Sequence, residues 1–102
     1  MVAASQPYDQ RDGYIWMNGE LISWRDARVH LLTHALHYGS AVFEGERVYD
    51  GEIFKLTEHS QRLHESAKGL DFVIPYSVAE IDHACRDVVR ANKLVDGYVR
   101  PL

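Results

Sequence analysis

The sequence has only one cysteine, Cys85, so no disulfide can form within the chain. Cys85 follows Ile81 and Ala84 at helical spacing, which predicts a buried structural thiol rather than a nucleophile. No apolar run approaches the length of a transmembrane helix, and the first residues have neither the basic start nor the apolar stretch of an export signal. These absences favour a cytoplasmic protein.

The chain also lacks an excess of positive charge. It has 11 Lys plus Arg against 15 Asp plus Glu, a net charge of -4, so neither nucleic acid nor an anionic membrane is indicated as a partner. No Walker loop, dinucleotide fingerprint, nucleophile elbow or paired CxxC motif occurs, which argues against several large enzyme classes. With 102 residues, the chain is one small domain at most.

The first half of the sequence predicts two β-hairpins. Residues 1–12 are polar and aperiodic, which predicts a disordered N-terminal segment before a domain over residues 13–102. Asn18-Gly19 and Asp50-Gly51 favour tight turns with positive φ angles. The segments flanking these turns are 14–17 with 20–24, and 40–49 with 52–56. Between the hairpins, residues 26–39 follow no clear pattern.

After residue 56 the hydrophobic period changes from two to 3.6, which predicts two helices. The first is expected to have Thr57 as its N-cap and to end near Asp71. Its buried stripe is predicted to contain Leu56, Leu63, Ala67 and Leu70. The second follows a capping box of Ser77 and Glu80, runs to about Lys93, and precedes a final extended segment. The order ββββααβ predicts an α+β fold, with two helices on one side of a mostly antiparallel sheet.

The segment HYGSAVFEGERVYDG is dense in groups that bind ligands. Because side chains alternate along a strand, one face is predicted to carry Phe43, Gly45, Arg47 and Tyr49, and the other Val42, Glu44, Glu46 and Val48. The first face combines an aromatic wall, a gap at Gly45 and a cation that can bind a carboxylate. An exposed face with a solvated arginine is the alternative. Tyr98 and Arg100 repeat the pairing of a phenol with a guanidinium, which favours anion recognition.

Arg62 lies beside the buried stripe of the first helix, where the pattern alone predicts a solvated arginine paired with Glu58 or Glu65. Three histidines have helical spacing, His30, His34 and His37. No acid or cysteine stands near them at ligand spacing, so hydrogen bonds to backbone or to a tyrosine are favoured over a metal. The remaining histidines are not expected to form a group: His59, His64 and His83.

The motifs HALHYGSAVFEGER, EHSQRL and YVRPL occur together in this order. From Tyr14 onward the chain closely resembles the N-terminal part of bacterial branched-chain amino acid aminotransferases, which are fold-type IV pyridoxal-phosphate enzymes. The resemblance implies the small N-terminal α+β domain of that fold, truncated at Leu102. It also implies transfer of an amino group between leucine, isoleucine or valine and 2-oxoglutarate, with pyridoxal 5′-phosphate as cofactor. The partners implied are amino acid and 2-oxo acid substrates and further subunits of a homodimer or higher homo-oligomer.

Individual residues take roles from the same resemblance. Arg62, in EHSQRL, matches the arginine that holds the cofactor phosphate, which suits the bidentate geometry of a guanidinium. The residues that match the substrate-binding positions are Tyr38, Phe43, Gly45, Arg47, Tyr98 and Arg100. Tyr38 is expected on a loop that reaches toward the partner subunit. Tyr98 and Arg100 match a pair that helps to bind substrate carboxylates.

The chain departs from the family pattern in two ways. The lysine that forms the Schiff base in the family lies downstream in a second domain, and Lys55, Lys68 and Lys93 do not match it. No catalytic residue is therefore assigned, and the chain alone is expected to be an inactive fragment. Glu46 stands where many members carry an apolar residue, and the alternation points it away from the pocket.

Two alternative functions stay open. D-amino acid aminotransferases and aminodeoxychorismate lyases share each motif separately, although EGERVYDG together with YVRPL favours branched-chain substrates. The chain could also be a non-catalytic domain that binds another chain through the unfinished edge of its sheet.

Overall fold

The computed structural model describes residues 6–102 and has the predicted α+β architecture. The strands are β1 (Tyr14–Met17), β2 (Glu20–Ser23), β3 (Glu46–Tyr49), β4 (Glu52–Ile53) and β5 (Gly97–Val99). The helices are α1 (His34–Tyr38), α2 (Leu56–Gly69) and α3 (Val78–Ala91), and short 3-10 helices cover Tyr8–Gln10 and Trp24–Asp26. The order ββββααβ is confirmed, with the short helix α1 added in the segment that followed no pattern. Of the segment predicted to be disordered, residues 1–5 lie outside the described residues, and residues 6–12 contain the 3-10 helix Tyr8–Gln10. The disorder of residues 1–12 stays a prediction.

Over residues 6–102 all strand pairing is antiparallel, but the strands form two small sheets and not one. β1 pairs with β2, and β3 lies between β4 and β5. Asn18 and Asp50 have φ angles of 52° and 51°, and the glycines after them have φ angles of 100° and 77°. Both predicted turns therefore have the positive φ angles that Asn-Gly and Asp-Gly adopt readily.

The core lies between the three-stranded sheet and the helices α2 and α3. Its buried apolar cluster consists of Val48, Leu56, Leu63, Ile81, Cys85, Val89 and Val99. Burial raises the pKa of the Cys85 thiol, in keeping with the predicted structural role. Leu70, which the helix pattern places in the buried stripe, is half exposed, because α2 ends at Gly69.

None of the helices in the described part of the chain is long and apolar enough to cross a membrane.

The two long helices begin differently. Before α3 the capping box forms as predicted, with the Glu80 N–H donating to Ser77 Oγ at 3.1 Å and the Ser77 N–H donating to Glu80 Oε1 at 3.0 Å. The predicted N-cap of α2 is wrong. Lys55 precedes that helix with a φ of 58°, and the Thr57 hydroxyl instead donates to Asp82 Oδ2 at 2.7 Å. The Thr57 hydroxyl therefore bonds to α3 and does not cap the N-terminus of α2.

β3 is shorter than the predicted strand 40–49. Regular pairing begins only at Glu46, which lies opposite Val99 of β5. Before that point one further backbone bond joins the two segments, since the Glu44 N–H donates to the carbonyl of Pro101 at 3.0 Å. This bond holds the residues before β3 beside the residues after β5.

Candidate functional site

The side chains of residues 43–49 alternate between two faces as predicted, and the structure adds that one face is exposed and the other buried. The exposed residues are Phe43, Gly45, Arg47 and Tyr49, and the buried ones are Glu44, Glu46 and Val48. Alternation places successive side chains on opposite sides of the sheet, and the buried set lies on the side of α2 and α3. The exposed set, together with Tyr98 and Arg100, is called the outer surface below.

The outer surface combines cations with aromatic rings. Arg47 lies opposite Tyr98 in the β3–β5 pairing. The Cζ atom of Arg100 lies 4.4 Å from the ring centre of Phe43 and 5.5 Å from that of Tyr98, and its Nε donates to Tyr98 Oη at 3.1 Å. The Cζ atom of Arg47 lies 5.5 Å from the ring centre of Tyr49. Two guanidinium groups held against aromatic rings form a surface that can bind a carboxylate beside an apolar group.

Gly45 makes this arrangement possible. A Cβ atom at this position would lie 2.8 Å from Tyr98 Oη and 3.0 Å from Tyr98 Cε2. The phenol of Tyr98 therefore occupies the space that a side chain at position 45 would take. Position 45 therefore needs a residue without a side chain, because the Tyr98 ring that contacts Arg100 lies against the backbone there.

Tyr38, the remaining predicted pocket residue, is separate from the outer surface. It ends α1 with a side chain that is 76% exposed. Its ring centre lies 4.6 Å from that of His34 and 6.3 Å from that of His37. Within residues 6–102 the structure shows no hydrogen bond or ring contact between Tyr38 and the outer surface. Its place in the pocket stays a prediction.

The three histidines with helical spacing make local hydrogen bonds. His30 Nδ1 accepts from the Leu32 N–H at 3.0 Å, His37 Nε2 donates to the carbonyl of Leu31 at 2.7 Å, and His34 bonds to Ser40. The expected bonds to backbone are thus present for two of the three rings. Over the described residues, no group of three or more His, Cys, Asp or Glu side chains is placed to hold a metal ion.

Arg62 is paired with Glu44, and not with Glu58 or Glu65 as the helix pattern alone suggested. Arg62 Nε donates to Glu44 Oε2 at 2.8 Å, and Nη2 donates to Oε1 at 2.7 Å. His59 Nδ1 lies 2.6 Å from the same Oε1. The carboxylate is only 4% exposed, whereas the Arg62 side chain is 66% exposed. The hydrogen bonds from Arg62 lower the pKa of Glu44 against the effect of its burial, and the same pairing raises the pKa of Arg62.

Sequence reasoning missed Glu44 and His59 as members of this cluster. The signal was available in part. His59 and Arg62 are three residues apart, so they share a face of α2, and alternation puts Glu44 on the buried face of its segment. Which helix would cover that end of the segment could not be read from the spacing.

Glu46 is fully buried two residues after Glu44. Neither of its carboxylate oxygens has a hydrogen-bond partner among the described residues. Burial raises the pKa of Glu46 to about 7, and the nearby His59 opposes this rise only in part. The alternation correctly placed Glu46 away from the outer surface, and the structure adds that this acid lies in the core.

Comparison with known proteins assigns the chain to a family. The family "Amino-transferase class IV" matches residues 41–102. The branched-chain-amino-acid aminotransferase of Escherichia coli (strain K12) is 53% identical over 93 residues, which cover 87% of this chain and 30% of the relative. The probable branched-chain-amino-acid aminotransferase of Rickettsia bellii (strain RML369-C) is 53% identical over 89 residues, covering 87% of this chain and 31% of the relative.

Solved structures give the same result. The branched-chain amino acid aminotransferase from Escherichia coli matches with a TM-score of 0.84 and 50% identity, over 88% of this chain and 32% of that chain. The enzyme from Thermobaculum terrenum in its PLP-form matches with a TM-score of 0.76 and 35% identity, over 87% and 31%. The chain spans about a third of the length of these relatives. Because the family match extends over more than half of its residues, the chain belongs to the class IV aminotransferases.

Proposed function

We propose that this chain is the N-terminal part of a branched-chain amino acid aminotransferase and forms one wall of its active site. The reaction proposed is transfer of an amino group between leucine, isoleucine or valine and 2-oxoglutarate. The observation that carries the proposal is the outer surface, where aromatic rings hold two guanidinium groups in a chain 53% identical to an aminotransferase of that name.

The outer surface suits substrates of two kinds. Phe43 offers apolar surface to a branched aliphatic side chain, and Arg100, held against Phe43 and Tyr98, offers a cation to a carboxylate. Gly45 leaves the room that Tyr98 needs, and Arg47 adds a second cation opposite Tyr98. Such a surface can accept leucine and glutamate in turn, since each finds a matching group.

Arg62 fits the phosphate of pyridoxal 5′-phosphate. We infer that this is the cofactor because solved relatives are complexed with N-(5′-phosphopyridoxyl)-L-glutamate and with pyridoxamine 5′-phosphate. A guanidinium has five N–H groups, and Glu44 accepts from two, which leaves three to donate to an oxyanion. The side chain is also largely exposed. When bound, the cofactor supplies the electron sink for the transfer, and this chain holds the phosphate and the substrate.

The homo-oligomer implied by the family resemblance is part of the proposal. The segment around α1 exposes four aliphatic side chains, Val29, Leu31, Leu32 and Leu36. An exposed apolar patch of this kind favours contact with another protein surface. Tyr38 lies at the end of the same segment and would reach the pocket together with that partner. A cytoplasmic location stays a prediction.

The proposal is tested by kinetics of the full-length protein. Arg100→Ala should raise the Michaelis constant for glutamate by about tenfold or more and that for leucine much less, because an aliphatic side chain offers no charge to pair with Arg100. Equal losses would mean that Arg100 binds the α-carboxylate common to both substrates. A wild-type protein that transaminates D-amino acids but not leucine would contradict the proposed substrate class.

Arg62→Ala should act on the cofactor instead. Both half-reactions should fall together, and added pyridoxal 5′-phosphate should restore part of the rate, since the phosphate has lost a charge-assisted donor. The measurement is the rate of each half-reaction at increasing cofactor concentration. If excess cofactor rescues Arg100→Ala but not Arg62→Ala, the two arginines have been assigned to the wrong groups.

A further inference from the structure

We propose that Glu44 and His59 are positioning residues that orient Arg62 and thereby strengthen its hold on the cofactor phosphate. This inference rests on the function proposed above. It assigns a role to a buried acid that contacts Arg62 and to a histidine that contacts this acid, both on the face opposite the outer surface.

The pairing geometry leaves one edge of the guanidinium for a ligand. Glu44 accepts from Nε and Nη2 of Arg62, which form the edge nearest the aliphatic stem. The terminal edge next to it consists of Nη1 and the second N–H of Nη2. Because the guanidinium is planar and rigid, fixing one edge also fixes the direction of the other. A second oxyanion can therefore be bound in the same bidentate manner along this terminal edge.

Glu44 is itself held firmly. Its backbone N–H donates to the carbonyl of Pro101 at 3.0 Å, and its side chain is buried. His59, one helical turn before Arg62, lies 2.6 Å from the carboxylate oxygen that also accepts from Nη2. Arg62 would otherwise be a long, mostly exposed side chain with many rotamers. The cluster orders it in advance, so less conformational entropy is lost when a phosphate binds.

Glu44 could affect phosphate binding in two opposite ways. As a negative charge next to Arg62, it reduces the positive potential that attracts a phosphate. As an anchor, it holds the free edge in the direction from which the phosphate is bound. Glu44→Gln removes the charge and keeps the size of the side chain, so the sign of its effect on affinity distinguishes the two. Positioning predicts weaker binding although the site becomes more positive.

The experiment measures dissociation constants of the full-length apoprotein for pyridoxal 5′-phosphate and for pyridoxal, which lacks the phosphate. Glu44→Gln should raise the constant for pyridoxal 5′-phosphate by about tenfold and leave that for pyridoxal unchanged. Glu58→Gln is the matched control, because it makes the same charge change on the exposed face of α2, four residues before Arg62. It should change neither constant.

A double-mutant cycle separates positioning from a general structural role. In an Arg62→Ala background, Glu44→Gln should have no further effect on the affinity for pyridoxal 5′-phosphate, because the residue through which Glu44 acts is absent. If Glu44→Gln prevents folding, His59→Leu decides the question, since it leaves the ion pair in place. Weaker binding of pyridoxal 5′-phosphate alone supports the proposal, and unchanged binding overturns it.

Three other results would overturn the inference. They are tighter binding of pyridoxal 5′-phosphate by Glu44→Gln, equal loss of affinity for both ligands, and an undiminished effect of Glu44→Gln in the Arg62→Ala background. Failure of the wild-type protein to bind pyridoxal 5′-phosphate at all would instead overturn the proposed function, so the two failures are distinguishable.

Discussion

Glu44 and Glu46 lie on the same buried face, two residues apart, yet their surroundings differ. At the Glu44 end, α2 presents two nitrogen-bearing side chains, His59 and Arg62, and the pKa of the carboxyl is lowered. At the Glu46 end neither carboxylate oxygen has a hydrogen bond of good geometry within the described residues, and burial outweighs the opposing effects of His59 and Cys85, so the pKa rises to about 7. The residue type and the burial are alike. Burial alone therefore does not set the pKa of an acid on this face: hydrogen bonds from α2 lower that of Glu44, and without such bonds burial raises that of Glu46.

The largest effect is expected from Glu46→Gln. Below the usual carboxyl pKa of 4.5, Glu46 is protonated both folded and unfolded, so it does not alter stability. Between 4.5 and about 7 the unfolded chain releases the proton while the folded chain retains it, so the free energy of unfolding falls as pH rises. Above pH 7 this loss is complete and amounts to roughly 3 kcal/mol. Glu46→Gln removes it and should be more stable than the wild type at pH 8.

Chemical denaturation of both proteins between pH 4 and pH 8 measures this difference. The advantage of Glu46→Gln should shrink toward pH 4. The charged and titratable groups that also act on Glu46 are His59, Glu44, Asp82 and Cys85, and all of them are unchanged in the variant. An equal advantage at both ends of the pH range would mean that Glu46 does not retain its proton in the fold.

The same substitution at Glu44 should have the opposite sign. Glu44→Gln removes the charge that accepts from Arg62 and His59, and should lower the free energy of unfolding by about 1 kcal/mol at neutral pH, a modest loss because Arg62 faces solvent. Since the folded-state pKa of Glu44 is depressed, its stabilisation is present above the unfolded pKa and disappears as pH falls through the folded one.

Glu58→Gln again serves as control in the denaturation experiment, and little change in stability is expected for this exposed side chain. If Glu44→Gln and Glu46→Gln both stabilised the protein at pH 8, the contrast between the two ends of the buried face would be wrong.

Gly45 lies between Glu44 and Glu46 but faces the outer surface. Of the three substitutions, Gly45→Ala is expected to change the free energy of unfolding least. The added Cβ would displace Tyr98, but that ring is half exposed and can turn away, so a loss below about 1 kcal/mol is expected. The bond from Arg100 to Tyr98 should be disturbed, which should raise the Michaelis constant for 2-oxoglutarate in the full-length protein.

Gly69→Ala is the control for this substitution, because a Cβ there has no neighbour within 4 Å and the position ends α2. Alanine favours a helix over glycine, so this variant should be as stable as the wild type or slightly more. An unaltered Michaelis constant in Gly45→Ala would show that the position of Tyr98 does not matter to the substrate.

Part of the structure follows from the sequence by local rules. Asn18-Gly19 and Asp50-Gly51 form their turns, and the capping box of Ser77 and Glu80 forms, because each depends on residues within a few positions. The alternation of residues 43–49 likewise placed the aromatic and cationic side chains on one face, since the geometry of a strand sets that period. Phe43, Gly45, Arg47 and Tyr49 could thus be predicted to share a face, whereas the β3–β5 pairing that adds Tyr98 and Arg100 could not, and the binding roles of the outer surface stay proposals.

Tertiary packing decided what the local rules could not. Thr57 donates to Asp82 of α3 and so does not cap α2, and the strands divide into two sheets. Arg62 finds its partner in Glu44, eighteen residues earlier, and not in the acids of its own helix. Glu46 has no such partner within the described residues, although it lies on the same face. Period and propensity determine which way a side chain points, but its protonation and its partners depend on which distant element covers it.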